Sequence, residues 1–499
     1  MAAQEIAHWI NGETDAGTGT GRQAVYNPAT GEQTGSLVLA EPADADRAVA
    51  TARRAFETWS NVPLSKRISV LFSFREKVKA HTDELARVIT AEHGKTLPDA
   101  AGEVARGLEV IEYACALPET LKGDYSEQVS SGIDVFSFRQ PLGVVAAITP
   151  FNFPVMVPLW MSPIAIATGN AVVLKPSERD PSASLLLAKL WQEAGLPDGG
   201  FNVVNGGRDV VERLLEHDDV DAVSFVGSTP VARSIYEKAS SRGKRVQALG
   251  GAKNHAVVLP DSDLDLAADH LAAAAFGSTG ERCMAVSVAV AVGDVGDELV
   301  AKLKERAADV VVGDGAEDGT GMGPLITPEA KERVESIVAG AEAEGAVLAV
   351  DGRGLVVEGR EGGFFTGPSV LDHVSTEAEA YKQEIFGPVL AVVRVKDLDE
   401  AIEVINNNPY GNGTAIFTGS GAAAREFQRR VTVGMIGVNV PIPVPAAQHS
   451  FGGWKDSLFG EHHIYGPDGV AFYTRGKVVT QRWPKENDPV EASLNFPTN

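Results

Sequence analysis

From 140 to 174 the chain carries no charged side chain, so this segment must be buried, in a bilayer or in a protein core. It contains Pro141, Pro150, Pro154, Pro158 and Pro163, together with Asn152 and Asn170. Prolines break helices, and buried amides are expensive in hydrocarbon. The segment therefore reads as a buried strand, an irregular turn and a core helix of a water-soluble domain, and no membrane role is expected.

The rest of the chain alternates helical patterns with short apolar strands, which reads as α/β with parallel sheets. Near the N-terminus, 43–59 and 65–93 are expected to be amphipathic helices, the second one continuous and stopped by Gly94. In 100–117, Val104, Leu108, Ile111 and Cys115 share one face, so Cys115 reads as a small core residue. Strands at 144–149, 171–175, 201–205 and 222–226 form a series resembling a doubly wound nucleotide-binding sheet. After Val226 comes Gly227-Ser228-Thr229-Pro230. Ser228 or Thr229 suits a helix N-cap and Pro230 the first turn, so a helix start stands where a phosphate would sit.

A second α/β block spans 255–474, with a helix at 264–276, a loop at 277–283 and strands at 287–292 and 389–395. Two alternating stretches, 133–139 and 477–483, lie outside both blocks. An exposed edge strand is an aggregation hazard unless paired, so these are expected to form an arm that pairs with another subunit. The Gly-rich stretch 313–323 reads as a loop, and the Pro- and Ala-rich stretch 440–449 as part of a substrate or lid region.

At 499 residues the chain allows about two to four domains. With 44 Lys plus Arg against 67 Asp plus Glu, the net charge of −23 argues against a nucleic-acid partner, which would need a basic surface. An anionic small substrate is not excluded, because one buried arginine reverses the local sign. Two cysteines, Cys115 and Cys283, are too few for a disulfide scaffold and fit a reducing compartment. The N-terminus lacks a basic start followed by an apolar stretch, so no secretory signal is read and a cytoplasmic location is expected. The Asn412-Gly413-Thr414 sequon carries no weight without such a signal.

A strict dinucleotide fingerprint, a phosphate-binding loop with Lys-Ser/Thr, a zinc-protease helix and clustered Cys/His ligands are all lacking, so no metal site is expected. Cys283 remains, after Gly277-Ser278-Thr279-Gly280-Glu281-Arg282. The glycines let backbone approach a ligand, and Arg282 could favour thiolate in its field. On these grounds alone Cys283 is either a nucleophile or an inert small residue.

Taken together, seven segments resemble the aldehyde dehydrogenase superfamily. They are Thr149-Pro150-Phe151-Asn152-Phe153-Pro154, Leu174-Lys175-Pro176-Ser177-Glu178, Phe225-Val226-Gly227-Ser228, Gly280-Glu281-Arg282-Cys283, Glu384-Ile385-Phe386-Gly387-Pro388, Phe451-Gly452-Gly453-Trp454-Lys455 and Tyr473-Thr474-Arg475-Gly476-Lys477. The resemblance implies two Rossmann-like parallel-sheet domains plus a small β oligomerisation arm. Residues 1–122 and 143–253 would form the NAD-binding domain, 254–475 the catalytic domain, and 123–142 with 476–499 the arm of a homotetramer. Cys283 would be the nucleophile, and the Asn152 amide with the Cys283 N–H the oxyanion hole. Lys175 and Glu178 would hold the adenosine ribose, Gly227 and Ser228 the pyrophosphate, and Glu384 the nicotinamide ribose, with Phe386 near the ring. Thr149, Phe151 and Leu249 would complete the NAD site. Lys175 with Glu178 also fits a solvated turn, and Phe386 a core position.

Hydrolytic members carry a glutamate directly before Leu-Gly-Gly; here that position is Ala248, and a methyl group cannot take a proton from water. The acyl thioester must then go to another nucleophile, and coenzyme A is the natural co-substrate. Gly251-Ala252-Lys253-Asn254-His255 and Gly280-Glu281-Arg282-Cys283-Met284-Ala285 look like the acylating methylmalonate-semialdehyde dehydrogenases. These also act on malonate semialdehyde, yielding propionyl-CoA or acetyl-CoA with loss of the carboxylate. A buried substrate carboxylate needs a cation. Arg282 is the first choice, with thiol activation as its competing role. Arg106 is the second, though Glu103 and Glu109 could simply pair with it on a solvated helix face. The alternatives are a hydrolytic enzyme using Glu384 or Glu281 as base, and a retired member kept as a binding protein.

Overall fold

Strand Val144–Ile148, buried at every residue as its lack of charge demands, lies within an eight-stranded sheet. The computed structural model describes residues 3–483. Val220–Val226 and Arg245–Leu249 run parallel on one side of this strand, Ala171–Lys175 and Phe201–Val203 on the other. The strand order thus reverses direction between Val144–Ile148 and Val220–Val226, and doubly wound sheets open a ligand crevice at the carboxyl ends of such strands. Antiparallel strands close the edges: His8–Ile10 with Glu13–Asp15 at one, Leu458–Phe459 at the other.

A second sheet of seven strands has Asn254–Val258 and Val286–Val292 near its middle. Val389–Val395 and Ser369–Asp372 extend it one way in parallel, Gly413–Phe417 and Met435–Val438 the other way. Both sheets carry helices on their faces, and the α/β reading holds. The two alternating stretches outside these sheets find each other: Thr474–Arg482 pairs antiparallel with the whole of Ile133–Pro141, and Tyr125–Ser130 adds a third strand. The final stretch of the expected arm, 484–499, lies outside the described residues.

The uncharged segment resolves as expected into strand, turn and helix Met156–Thr168, in which every residue is buried. That helix has no acidic residue in its first turn. Its amides are met from outside: Glu103 Oε1, on helix Leu97–Cys115, accepts from the N–H groups of Val155 at 2.8 Å and Met156 at 3.0 Å. The other Glu103 oxygen accepts from Lys95 Nζ at 2.8 Å, and both side chains are 1% exposed or less. A carboxylate at a helix N-terminus satisfies orphan donors and complements the dipole.

One expected helix divides. Residues 65–93 form Leu64–Ala80 and Thr82–His93, separated at His81, whose φ of −104° and ψ of 17° break the α geometry. Neither Gly nor Pro causes the break. Lys77 and Lys79 end the first helix while Asp83 and Glu84 begin the second, a charge arrangement that suits two helix dipoles rather than one. Gly94 stops the second helix in the left-handed region, as expected.

Glu103 is the strongest single test of this arrangement. Glu103→Ala strands the Lys95 ammonium and two helix-terminal amides, and should cost about 3–5 kcal/mol. Urea unfolding followed by tryptophan fluorescence should show the loss, and an unchanged midpoint would refute the capping role.

Candidate active site

The loop after helix Leu264–Phe276 presents Cys283 through an uncommon backbone. Ser278 (φ 50°, ψ 36°) and Thr279 (φ 56°, ψ 29°) both lie in the left-handed region. Such residues cost of order 1–3 kcal/mol each and persist only where surroundings over-determine them. Thr279 Oγ1 donates to the Gly323 carbonyl at 2.9 Å. Gly280 follows with φ +70°, and a Cβ there would lie 2.0 Å from the Gly387 carbonyl oxygen, so only glycine fits.

The turn at the end of Val144–Ile148 supplies Asn152, which is 3% exposed. Its Nδ2 donates to the Glu281 carbonyl at 2.9 Å, which ties the turn to the cysteine loop. Its own carbonyl accepts from Lys95 Nζ at 2.6 Å. One amide hydrogen of Asn152 is thereby engaged and the other left over, beside the loop that ends in Cys283. The Cys283 carbonyl in turn accepts from Asn254 Nδ2 at 2.9 Å and Asn412 Nδ2 at 3.1 Å. Sequence reasoning assigned no role to Lys95, Asn254 or Asn412. Asn254 stood in a motif noted for its likeness alone, and Asn412 had been set aside as a sequon; both are buried.

Cys283 borders two cavities. One, of about 600 Å³, has apolar walls from Phe153, Met156, Trp160, Ile442 and Val444, and holds Arg106 and Arg282. Ile442 and Val444 belong to the Pro-rich stretch expected to line the substrate region. The other, smaller, is bordered by Glu384, Phe386, Ala252 and Asn254. The nucleophile candidate is therefore reached from the larger cavity, with the smaller one, of about 10 Å³, behind it.

The two arginines are held differently. Arg106 pairs with Glu109 at 2.6 Å and donates to the Pro445 carbonyl at 2.9 Å. Glu103, its other expected partner, turns away toward Lys95. Arg282 pairs with Asp99 at 2.6 Å, a partner on no expected list.

Burial dominates the ionisation of the groups around the sulfur. It pushes the Cys283 thiol up to about 12, with the Glu384 charge adding to the effect. Glu384 is raised to about 7 and Glu281 to about 8, both chiefly by burial. Glu384 Oε1 accepts from the Ala252 N–H at 3.0 Å. Glu281 accepts from the Ile326 N–H at 3.3 Å and lies 3.9 Å from His93, behind the loop and off both cavities. Ala248 is wholly buried in the first sheet, in register with Phe225 and Phe459. Cys115, by contrast, is a free buried thiol in the core, raised to about 11 by burial.

At the carboxyl ends of the first sheet, Lys175 pairs with Glu178 at 2.6 Å. Ser228 caps helix Thr229–Ser241 without a side-chain cap bond, so the first amides of that helix are not taken by it. The Gly227 N–H donates to the Leu249 carbonyl at 3.1 Å. The Thr149 hydroxyl is buried and has no partner. Phe151 meets Phe386 edge-on at 5.7 Å, so these rings join the two sheets' loops across the crevice. Among the described residues no group of three or more Cys, His, Asp or Glu could hold a metal ion, and no helix is long and apolar enough to cross a membrane.

The profile of the aldehyde dehydrogenase family matches residues 15–479. The malonate-semialdehyde dehydrogenase of Pseudomonas aeruginosa is 55% identical over 494 residues, covering 99% of each chain. Malonate-semialdehyde dehydrogenase 1 of Geobacillus thermodenitrificans is 48% identical, covering 96% of this chain and 99% of that one. Among solved structures, the methylmalonate-semialdehyde dehydrogenase of Oceanimonas doudoroffii superposes with a TM-score of 0.96 at 55% identity, covering 97% of this chain and 99% of that one. A Sinorhizobium meliloti protein assigned to the methylmalonate-semialdehyde dehydrogenases, solved with NAD, gives a TM-score of 0.96 at 47% identity, covering 97% and 99%.

The charge on Glu384 gives the thiol a testable pH signature. Above about pH 7 Glu384 is ionised and opposes thiolate formation; below it the carboxyl is neutral and the opposition vanishes. Glu384→Gln should therefore speed iodoacetamide alkylation of Cys283 roughly three- to tenfold near pH 8.5 and hardly at all near pH 6. Equal rates of parent and variant at the higher pH would show that the two groups do not interact.

Proposed function

Because the chain belongs to the aldehyde dehydrogenase family, we propose that it oxidises malonate or methylmalonate semialdehyde with NAD and passes the acyl group to coenzyme A. The observation that carries this reading is the cavity at Cys283, where apolar walls surround two guanidinium groups, Arg106 and Arg282. An aldehyde bearing a carboxylate matches it: the reactive carbon meets the sulfur, and the carboxylate finds a cation beside it.

Each residue has a task in this scheme. The Cys283 thiol gives up its proton to solvent as the sulfur adds to the aldehyde carbon. The free Asn152 amide hydrogen and the Cys283 N–H stabilise the alkoxide that forms, and losing one such donor typically costs about 100- to 1000-fold. NAD, when bound, supplies the hydride acceptor that turns the adduct into a thioester. The residues present fit that cofactor. The unpartnered Thr149 hydroxyl and the uncapped helix start at Ser228 offer donors for a nucleotide, with Gly227 and Leu249 alongside. Lys175 and Glu178 would hold the adenosine ribose, the acid favouring a 2′-hydroxyl over a 2′-phosphate. Glu384, Phe386 and Phe151 would form the nicotinamide end.

With the thioester in place, the substrate carboxylate sits beta to a carbonyl. The C–C bond breaks, its electrons enter the enolate, and a proton completes the acetyl or propionyl group as carbon dioxide leaves, which water then converts to bicarbonate. The thiolate of coenzyme A then displaces Cys283. Ala248 supports this outcome over hydrolysis, because the position that carries a glutamate before Leu-Gly-Gly in hydrolytic members is here a methyl group, which cannot take a proton. Glu281 is not placed to replace it.

The same reading includes an NAD-binding domain of 1–122 and 143–253, a catalytic domain of 254–475, and an arm of 123–142 and 476–499. The exposed Tyr125, Val129 and Val478 on the arm strands support subunit pairing and a homotetramer. Two free thiols support a cytoplasmic location.

Steady-state NADH formation from malonate semialdehyde, with and without coenzyme A, tests the function. Turnover should require coenzyme A, with acetyl-CoA seen by mass spectrometry. Equal turnover without it, with a free acid released, would make this a hydrolytic enzyme. Arg282→Ala should raise the semialdehyde KM about 10- to 100-fold, the price of removing a charged partner from a buried carboxylate. An unchanged KM would remove Arg282 from the substrate site.

A further inference from the structure

Arg282 is held on one side by an acid from a distant part of the chain. Its Nη2 donates to Asp99 Oδ1 at 2.6 Å, and a Cβ on Gly277 would lie 2.6 Å from its Nη1. A glycine at 277 is therefore what leaves the guanidinium its room. Asp99 is itself well placed: it stands in the first turn of helix Leu97–Cys115, after Pro98, and its N–H donates to the Thr96 hydroxyl.

The pair forms a wall between two spaces. Asp99 and Arg282 line both the cavity at Cys283 and a second one of about 720 Å³, which extends past Phe276, Val310 and Met322. Side-chain exposure of 22% for Arg282 and 27% for Asp99 shows that the wall is wetted rather than sealed. An acid in the first turn of a helix is ordinary, since the dipole favours it. Most such acids end in water. This one ends on the arginine next to the cysteine, reaching across from a different part of the chain.

Arginine offers five donors in a rigid fork on a flexible stem. Tying one edge of the fork leaves the others fixed in direction, so the cost of ordering the side chain is met before substrate arrives. We infer that Asp99 is a specificity-determining positioning residue, which holds one edge of the Arg282 guanidinium against Gly277 and so aims the remaining donors at the carboxylate of the aldehyde substrate. This rests on the reading of Arg282 as the carboxylate partner. The role differs from that of Glu109, which pairs with Arg106 from the same helix one turn away.

The discriminating quantity is the ratio of kcat/KM for malonate semialdehyde to that for propanal, which lacks the carboxylate. Asp99→Ala should lower this ratio about five- to tenfold, through KM for the semialdehyde. Asp99→Asn keeps an oxygen that can accept the bond and should recover most of the ratio, falling about twofold. If Asp99→Ala leaves the ratio unchanged or raises it, or if both substrates lose in parallel, the positioning role is wrong and Asp99 only starts a helix. Should Asp99→Ala fail to fold, Asp99→Asn decides alone, and a ratio equal to the parent's overturns the inference. Arg282→Ala separates the two levels. If it keeps the ratio, the reading of Arg282 has failed; if it collapses the ratio while Asp99→Ala does not, only the inference about Asp99 has failed.

Discussion

The buried pair of Lys95 and Glu103 is the contact on which the site's geometry depends. Two charges taken out of water are tolerated only when each remaining donor and acceptor is met. Here Glu103 divides its oxygens between the lysine and two amides of the next helix, while Lys95 also donates to the Asn152 carbonyl and lies 4.4 Å from the Phe153 ring centre. One ion pair thereby joins helix Leu97–Cys115, the turn through Asn152 and helix Met156–Thr168. From Asn152 the connection continues through its side chain to Glu281, and so to Cys283. Asn254 and Asn412 hold the Cys283 carbonyl from the second sheet. The backbone around the sulfur is anchored from both sheets, and none of these bonds uses the sulfur itself.

What the sequence made legible follows from how local each determinant is. Strands buried on both faces declare themselves by uninterrupted apolar runs, so Ala171–Lys175 and Val389–Val395 fall where they were expected. Helix Leu264–Phe276 also ends where expected, with Asp263 capping its start. The division at His81 escaped because no Gly or Pro marks it; only the opposed charges on either side hint at two dipoles. The candidate nucleophile and oxyanion donor were visible through motif likeness. The residues that hold them were not, because their partners are remote. Glu103 looked like a solvated neighbour of Arg106 three residues away, yet its partners are Lys95 and the amides of another helix. Asp99 lay just outside the helix expected from residue 100 and gave no signal until the fold set Arg282 against it.

The loop carrying Cys283 shows the same division of labour in its backbone. Two consecutive non-glycine residues in the left-handed region would relax if free. They are kept there by the Gly323 carbonyl on one side and by the close approach of Gly280 to Gly387 on the other. That second approach puts the cysteine loop directly on the segment that begins at Glu384. Lys253, lowered to about 7 by burial, braces the turn just before that segment by donating to the Ala380 and Gln383 carbonyls. The sulfur and the carboxylate that influences it are thus parts of one packed unit.

The strand Leu458–Phe459 closes an edge of the first sheet by pairing with Arg245–Leu249, although all seven strands of the second sheet intervene in the chain. During synthesis at about 5–20 residues per second, this separation means a delay of about 10–40 s between the two strands' emergence from the ribosome. Throughout that interval the nascent first sheet exposes an unpaired edge, the kind of surface that templates pairing with a neighbouring chain. A polysome translating this message carries several such edges at once, all waiting for a strand that each ribosome makes late.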